Sequence, residues 1–455
     1  MERIDTELDQ FAQWPSGERI AALTSLLPQS LLTEVLAEST RPSRYCRRLP
    51  NWFMLWFVVG IGLFSRDNYR QVYKWLQPFR RKASPLRSTL CMARQRLGVA
   101  PLRRLLERTA TLLAEPTTSG AFHREYRLMA VDGFVVDVAD SPDNDRVFGR
   151  PGSKRGRSAY PQARVLSLCE VGTHVLWRSL VKPVRRGEVT MAPALLRHLQ
   201  PDMLLLWDRG FFRYALIRQV VVVQKSQLLA RVRSGLIFQP IRTLSDGSYL
   251  AKVYESPRHR RRDEGGITVR IVEYTLTDPA RPGCGQTHRL LTTLLDETLD
   301  PATDVVVLYY ERWEEELTID ELKTHQRERP VLRSQTPAGV VQEIYGLLVA
   351  HGLIRRVMGE AAAQAGVAPR RVSFTGALKI LRCRLAECPP DEFGRMAWYE
   401  RLVAEIAEEI LPERRPRINP REIKKKMSNW PKKRPEQRST TVPKKRFQDT
   451  IKILN

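Results

Sequence analysis

The sequence predicts an α/β core interrupted by a β-rich insertion and flanked on both sides by helical regions. Three observations lead there. Residues 126–138, YRLMAVDGFVVDV, are rich in β-branched side chains and apolar on both faces, as a central strand requires, and residues 203–207, MLLLW, form a second apolar run of strand length. Residues 228–303 then carry alternating runs at 237–244, 249–255, 267–276 and 288–295, separated by Pro, Gly and Asp turns. Finally, residues 309–323, YYERWEEELTIDELK, follow the apolar run 305–308, which reads as a last strand, and keep their polar groups at helical spacing.

The bulk numbers set the class of partner. The chain has 455 residues, 42% of them hydrophobic, enough for a substantial core. Lys and Arg number 75 against 50 Asp and Glu, giving a net charge of +25 and a pI near 10.2. Such a balance points to a polyanion, with nucleic acid first. A membrane partner is not expected, because the longest apolar run, residues 52–64, is thirteen residues, short of the roughly 18 needed to span. It reads as a buried helix. Six cysteines at 46, 91, 169, 284, 383 and 388 are too sparse for a disulfide framework, and the opening MERIDTELDQ is acidic where a signal peptide is basic. Buried thiols in a reducing, cytoplasmic compartment are the expectation.

Taken in order, residues 1–120 read as short helices punctuated by proline, with apolar positions at helical spacing in 20–36, 52–64 and 97–113. The stretch from Arg80-Arg81-Lys82 onward puts Arg87, Arg94 and Arg96 on or beside a helix opening after Ser84-Pro85. That suits a helix-turn-helix on DNA, or equally an Arg-rich solvated face. Residues 121–227 hold the first part of the core. Here the strand carrying Asp132 is followed by the loop DNDRVFGRPGSKRGRSAYPQ, with Arg146, Arg150, Lys154, Arg155 and Arg157. The loop lacks the order of a nucleotide-binding P-loop, leaving contact with a DNA backbone or a solvated loop. Strands at 164–171 and 174–181 meet at Gly172-Thr173. The run 203–207 ends at Asp208-Arg209-Gly210, where Asp208 is either a turn residue or an acid at a strand end. The insertion spans 228–303, with a basic tip at 258–262. Residues 304–330 resume the core, 331–411 are helical, and 412–455 form a tail with fifteen basic and four acidic residues, expected to stay disordered until it meets polyanion.

At about 100° per residue, Tyr309, Arg312, Glu316 and Lys323 share one helical stripe. Trp313 and Leu317 border it on one side, Leu308 and Ile319 on the other, while Glu311, Glu314, Thr318 and Glu321 point away. Asp132, Asp208 and Glu316 thus stand in chain order on α/β elements. Two magnesium ions held by such acids, about 3.5 to 4 Å apart, would activate an attacking oxygen and stabilise a leaving one in phosphodiester chemistry. Nothing in the sequence offers a Ser/His/Asp set, HExxH or clustered histidines.

The spacing Y-x2-R-x3-E-x6-K at Tyr309, Arg312, Glu316 and Lys323 resembles the signature of the insertion-sequence-4 family of bacterial DDE transposases. MAVDG around Asp132, FGRPGSKRG, DRGF at Asp208 and KKKMSNWPKKRP in the tail are similar to that family as well. The resemblance implies a ribonuclease-H-like mixed-sheet core. It implies that Asp132, Asp208 and Glu316 bind two Mg2+, with Mn2+ as a substitute, to cut transposon ends and join them to target DNA. Tyr309, Arg312, Trp313 and Lys323, with Arg150, Lys154, Arg155 and Arg209, would contact DNA, and a homodimer would bridge the inverted repeats of two ends. Asp320 is a lesser alternative carboxylate on the same stripe. Two departures stand out: Phe134 follows Asp132-Gly133 where members often carry Thr or Ser, and the insertion has no Trp to stack a flipped base in a hairpin route, leaving Phe238, Tyr249, Tyr254 or Tyr274. The rival readings are a non-catalytic DNA-binding protein descended from a transposase and a magnesium nuclease without strand transfer.

Overall fold

The computed structural model describes residues 26–39, 49–76, 84–153, 156–233, 235–279, 284–389, 391–412 and 447–454. Arg80, Arg81, Lys82, Lys154, Arg155 and most of the basic tail lie outside these residues. The chain forms two compact units, one of residues 1–120, 133–187 and 316–411, the other of residues 121–132, 188–315 and 412–455.

The first unit is mainly helical. Asn51–Leu63 is apolar on every face, and apart from half-buried Asn51 all of it is buried, which is where such a helix has to go. It packs on Pro337–Ala365, a 29-residue helix long and apolar enough to cross a membrane by length and composition, yet largely buried in this unit. The two backbones approach at paired glycines. A Cβ on Gly62 would lie 2.5 Å from the Gly346 carbonyl oxygen, and one on Gly346 would run into the Val58 carbonyl, so only glycine permits this approach. Arg94 does not face DNA. It is buried on the helix Arg87–Leu97, where it donates to Ser334 Oγ at 3.2 Å and the Gly339 carbonyl at 2.8 Å. Nor does Ser84-Pro85 cap that helix, whose N-cap is Leu86 with no side-chain bond. The hairpin Gln162–Glu170 and Val175–Pro183 pairs antiparallel from Ala163↔Pro183 to Glu170↔Val175, and His174 closes its turn at φ 61°.

The hairpin turn meets a buried ionic cluster. Glu321 begins a π-helical turn, Glu321–Gln326, and its carboxylate accepts from Arg355 Nε–H at 2.9 Å and again from Nη2. His351 Nε2 lies 3.1 Å from Oε2, the same oxygen that takes the Nε–H of Arg355, and must donate, since an ionised carboxylate only accepts. His174 Nδ1 lies 2.9 Å from Oε1 and 2.7 Å from Arg355 Nη2, so it faces both members of the ion pair. The helical stripe assigned Glu321 to the outer face; the packing buries it.

The second unit is built on a mixed sheet. Residues 127–130 of the strand Tyr126–Val138 pair in parallel with Met203–Trp207, which pairs in parallel with Gln227–Arg231. Antiparallel pairing continues through His288–Thr292, Ile267–Leu276, Tyr249–Val253 and Arg242–Thr243. Gln227–Arg231, expected as the start of the insertion, is thus a strand of the parallel set, and the strands that follow it extend the same sheet in antiparallel pairing. The run 305–308, expected as a strand, is helical within Ala302–Tyr309. A short apolar run fits a buried strand or a buried helix equally, and here Pro301 at the N-cap and Asp304 in the first turn decide for helix.

Candidate active site

Asp132 and Asp208 enter on neighbouring parallel strands. The register sets Ala130 opposite Leu206, so two residues further on Asp132 stands level with Asp208, one strand spacing of about 4.8 Å away. Strand parity sends both side chains from the same face. Both are half-buried, Asp132 midway along Tyr126–Val138 and Asp208 directly after Met203–Trp207, the latter at the strand end where open α/β sheets gather chemistry. Asp208 is also a turn residue: its Oδ1 accepts from the Gly210 N–H at 2.7 Å, capping the short 3-10 turn Arg209–Phe211. A Cβ at residue 210 would sit 2.9 Å from that oxygen, so glycine lets the carboxylate hold its place.

A third acid comes from a helix that does not advance uniformly. Ala302–Tyr309 is α-helical, Tyr310–Arg312 is 3-10, and Trp313–Asp320 is α-helical again. A 3-10 residue turns about 120° against about 100° in an α-helix. Three such residues rotate everything downstream by roughly 60° relative to a uniform helix. Arg312 then falls directly above Tyr309, and Glu315 swings from the helix flank toward their stripe. Glu315 is fully buried, and neither of its carboxylate oxygens has a donor in hydrogen-bonding geometry. Its carboxyl is held well above the ordinary carboxylate range by burial and by the charges of Asp132 and Asp208, against the pull of Arg312 and the Asp132 main-chain amide. A helical wheel drawn at one fixed angle passes over this residue. The signal that could have found it is the run Glu314-Glu315-Glu316 itself, since three consecutive acids on a helix with apolar borders cannot all face water.

Cations and rings surround these acids. Tyr309 is buried, and burial raises its phenol to about 12, with Arg312 and Arg231 opposing and Asp208 adding to the rise. It therefore stays a hydrogen-bond donor at neutral pH. The Arg312 guanidinium lies 6.0 Å from the Tyr309 ring centre and 5.9 Å from that of half-buried Trp313, at the outer limit of cation–π contact. Arg231, which sequence reading did not single out, sits at the end of Gln227–Arg231 and within 3.0 Å of His288 Nδ1. Arg209 is exposed beside Asp208.

Glu316, half-buried, and Lys323 belong to the first unit. Burial and Arg327 lower the Lys323 ammonium, while Asp137 and Asp320 support it. Arg150 is engaged within its own loop, by Asp140 and by Asp145 at 3.1 Å. Lys154 and Arg155 lie outside the described residues. Cys383 is exposed, against the expectation of buried thiols.

Among the described residues, no group of three or more His, Cys, Asp or Glu converges as a ready metal cage. The donor set nevertheless suits a hard cation. Asp132 and Asp208 both act electrostatically on buried Glu315, and carboxylate oxygens are the donors a hard divalent ion takes.

Residues 123–353 match the family described as transposase DDE domain, and residues 17–107 match the insertion element 4 transposase N-terminal family. The chain belongs to the insertion-element-4 family of DDE transposases. Its core is accordingly the ribonuclease-H-like α/β fold, and its activity is DNA transposition. The transposase is 29% identical over 460 residues to the transposase InsG for insertion sequence element IS4 of Escherichia coli (strain K12), covering 97% of this chain and 98% of the relative. It is 28% identical over 188 residues to the putative transposase InsZ of the same organism, covering 41% of this chain and 62% of that relative. Among solved structures, the piggyBac transposase synaptic complex with hairpin DNA aligns at a TM-score of 0.44 and 13% identity, over 93% of this chain and 88% of that one.

The transposase family uses DNA and, in general, a divalent metal. Of the four insertion aromatics, Tyr274 is buried, Tyr249 is bonded to Glu273 at 2.9 Å and Tyr254 to Asp263 at 2.6 Å. Phe238 is half-buried and packs edge-on to Phe212 at 6.4 Å. Of these side chains, Tyr274 is the one whose burial rules out stacking on a base without rearrangement.

Proposed function

We propose that this transposase cuts transposon ends and joins them to target DNA by metal-dependent phosphodiester chemistry, with Asp132, Asp208 and Glu316 as the metal-binding acids. The observation that supports the reading most is the parallel register that sets Asp132 beside Asp208. Two Mg2+ ions, or Mn2+ in their place, would supply activation of the attacking oxygen and stabilisation of the leaving one. The protein's own part is positioning. Tyr309 keeps its proton and can donate to a phosphate oxygen, and Arg312 and Arg231 bring fixed positive charge to the same place. Trp313 offers a half-buried ring beside Arg312, suited to a base or sugar at the strand end. Lys323, half-buried, would bring the point charge of its ammonium to a phosphate. Residues 1–120 would bind the transposon ends, residues 228–303 and the tail would add backbone contacts, and a homodimer would hold two ends together in the nucleoid.

A second reading of the third acid is favoured by the burial of Glu315 against Asp132 and Asp208. Strand-cleavage and strand-transfer assays on end DNA separate the two. Asp132→Ala, Asp208→Ala and Glu316→Ala should each lower both rates at least about a thousandfold, in the range lost with one charge-stabilising group, while end binding persists. Glu315→Ala should leave at least a tenth of the rate. The opposite pattern at 315 and 316 would move the role to Glu315, and full activity in Asp132→Ala or Asp208→Ala would sink the reading altogether.

A further inference from the structure

The strand Ile267–Leu276 has one edge covered by His288–Thr292 as far as Tyr274. Its other edge is covered by Tyr249–Val253 only up to Ile271. Beyond that point the open half of the edge is taken by Ile451–Ile453, paired antiparallel as Tyr274↔Ile453, Thr275↔Lys452 and Leu276↔Ile451. The main-chain bonds continue outside the ladder: the Leu454 N–H donates to the Glu273 carbonyl at 2.9 Å and the Thr277 N–H to the Thr450 carbonyl at 3.1 Å. Thr450 is fully buried, and its hydroxyl donates to the Phe447 carbonyl at 2.6 Å, fixing the short turn before the strand. This turn lays the Phe447 ring on Tyr310, with centroids 3.9 Å apart. Tyr310 in turn reaches buried Tyr274, whose phenol is raised by burial and by that neighbour.

Tyr310 opens the 3-10 turn that decides which way Arg312 and Glu315 face. Its N–H bonding geometry is poorer than that of the α-helix on either side, and a single 3-10 turn inside a helix relaxes readily unless something outside holds it. We propose that residues 447–453 are a positioning strap: strand addition anchors them to the sheet, and Phe447, acting through Tyr310, fixes the 3-10 turn and with it the orientation of Arg312 and Glu315. Phe447 touches no reacting atom in this scheme and acts only by position.

The test uses the full chain as Phe447→Ala, Phe447→Leu and Phe447→Trp. Amide hydrogen exchange reads the turn without depending on catalysis. In Phe447→Ala, exchange at residues 309–316 should speed up at least about tenfold, with Met203–Trp207 unchanged. Phe447→Leu should give a smaller effect and Phe447→Trp a rate near wild type, since an aromatic face restores the contact. The second arm rests on the function proposed above: strand cleavage in Phe447→Ala should fall about ten- to a hundredfold, the range expected of a displacement near 1 Å, with end-DNA affinity unchanged. Unaltered exchange at 309–316 in Phe447→Ala overturns the strap, and so does acceleration spread evenly over the chain. Local acceleration in a protein whose wild type cleaves no DNA leaves the strap standing and removes the proposed cleavage activity instead.

Discussion

Glu321 and Glu315 are both buried acids on the same stretch of helix, and their surroundings drive them in opposite directions. Burial alone would raise Glu321, but Arg355, His174 and His351 outweigh it and hold its carboxyl well below the ordinary range. A carboxyl depressed in the folded state contributes stability that is present above its unfolded value near 4.5 and is lost as pH falls through the folded value. Glu321→Gln leaves the Arg355 charge buried without its partner, which costs about 3 to 5 kcal/mol in comparable pairs. The expected result is a large drop in denaturant midpoint at pH 7 that narrows as pH falls below the carboxyl range. His351, whose imidazole is lowered by burial, adds an acid sensitivity of its own in both proteins, so the difference between them is the quantity to follow. A gap that stays constant with pH would refute the ion pair. At this scale the sequence was informative about the strands that position Asp132 and Asp208, both of them apolar runs. It was silent on Glu315 and Glu321, because one depends on a local change of helical pitch and the other on partners at positions 174, 351 and 355.

Elements were legible where periodicity or composition left one solution. The run 203–207 has the length of a strand and no polar residue, and it forms the strand Met203–Trp207. The run 305–308 is equally apolar, but Pro301 and Asp304 ahead of it start a helix, and it lies within Ala302–Tyr309. Contacts between elements were not legible at all: nothing in GIGL at residues 60–63 announces that Gly62 would face Gly346 some 280 residues away. That contact is testable. A methyl group at 346 meets the Val58 carbonyl, so Gly346→Ala must push two buried helices apart, an overpacking cost of about 1 to 3 kcal/mol. Gly352→Ala lies in the same helix with open space where its Cβ would go, and there the usual gain of roughly 0.5 to 1 kcal/mol from replacing a helical glycine applies. Thermal melts should therefore move in opposite directions for two identical substitutions six residues apart, down for 346 and up for 352. A fall of equal size in both would show that helix propensity has no part in the difference and that the close approach is not what the glycine serves.

Across the whole molecule, charge is the property that composition fixes and the fold redistributes. The net +25 is not spread evenly, since residues 412–455 alone carry fifteen basic against four acidic residues. Within the folded part several cations are already engaged: Arg94 and Arg355 are buried and bonded internally, and Arg150 is bound to Asp140 and Asp145. These contribute little to a phosphate contact, so the net charge overstates the surface available to DNA. The tail and exposed groups such as Arg209, Arg258, Arg261 and Arg262 are left to supply the electrostatic part. Each phosphate neutralised lowers the slope of log affinity against log salt by about 0.9. With the tail contributing several contacts, duplex affinity should fall by about three to five orders of magnitude between 50 and 200 mM salt. Replacing four tail lysines, Lys424, Lys425, Lys426 and Lys432, by Gln should flatten the slope by up to about 3.6. Arg150→Gln should change it by well under one. A slope insensitive to the tail, or one that responds fully to Arg150, would mean that DNA is held by cations other than those of the tail.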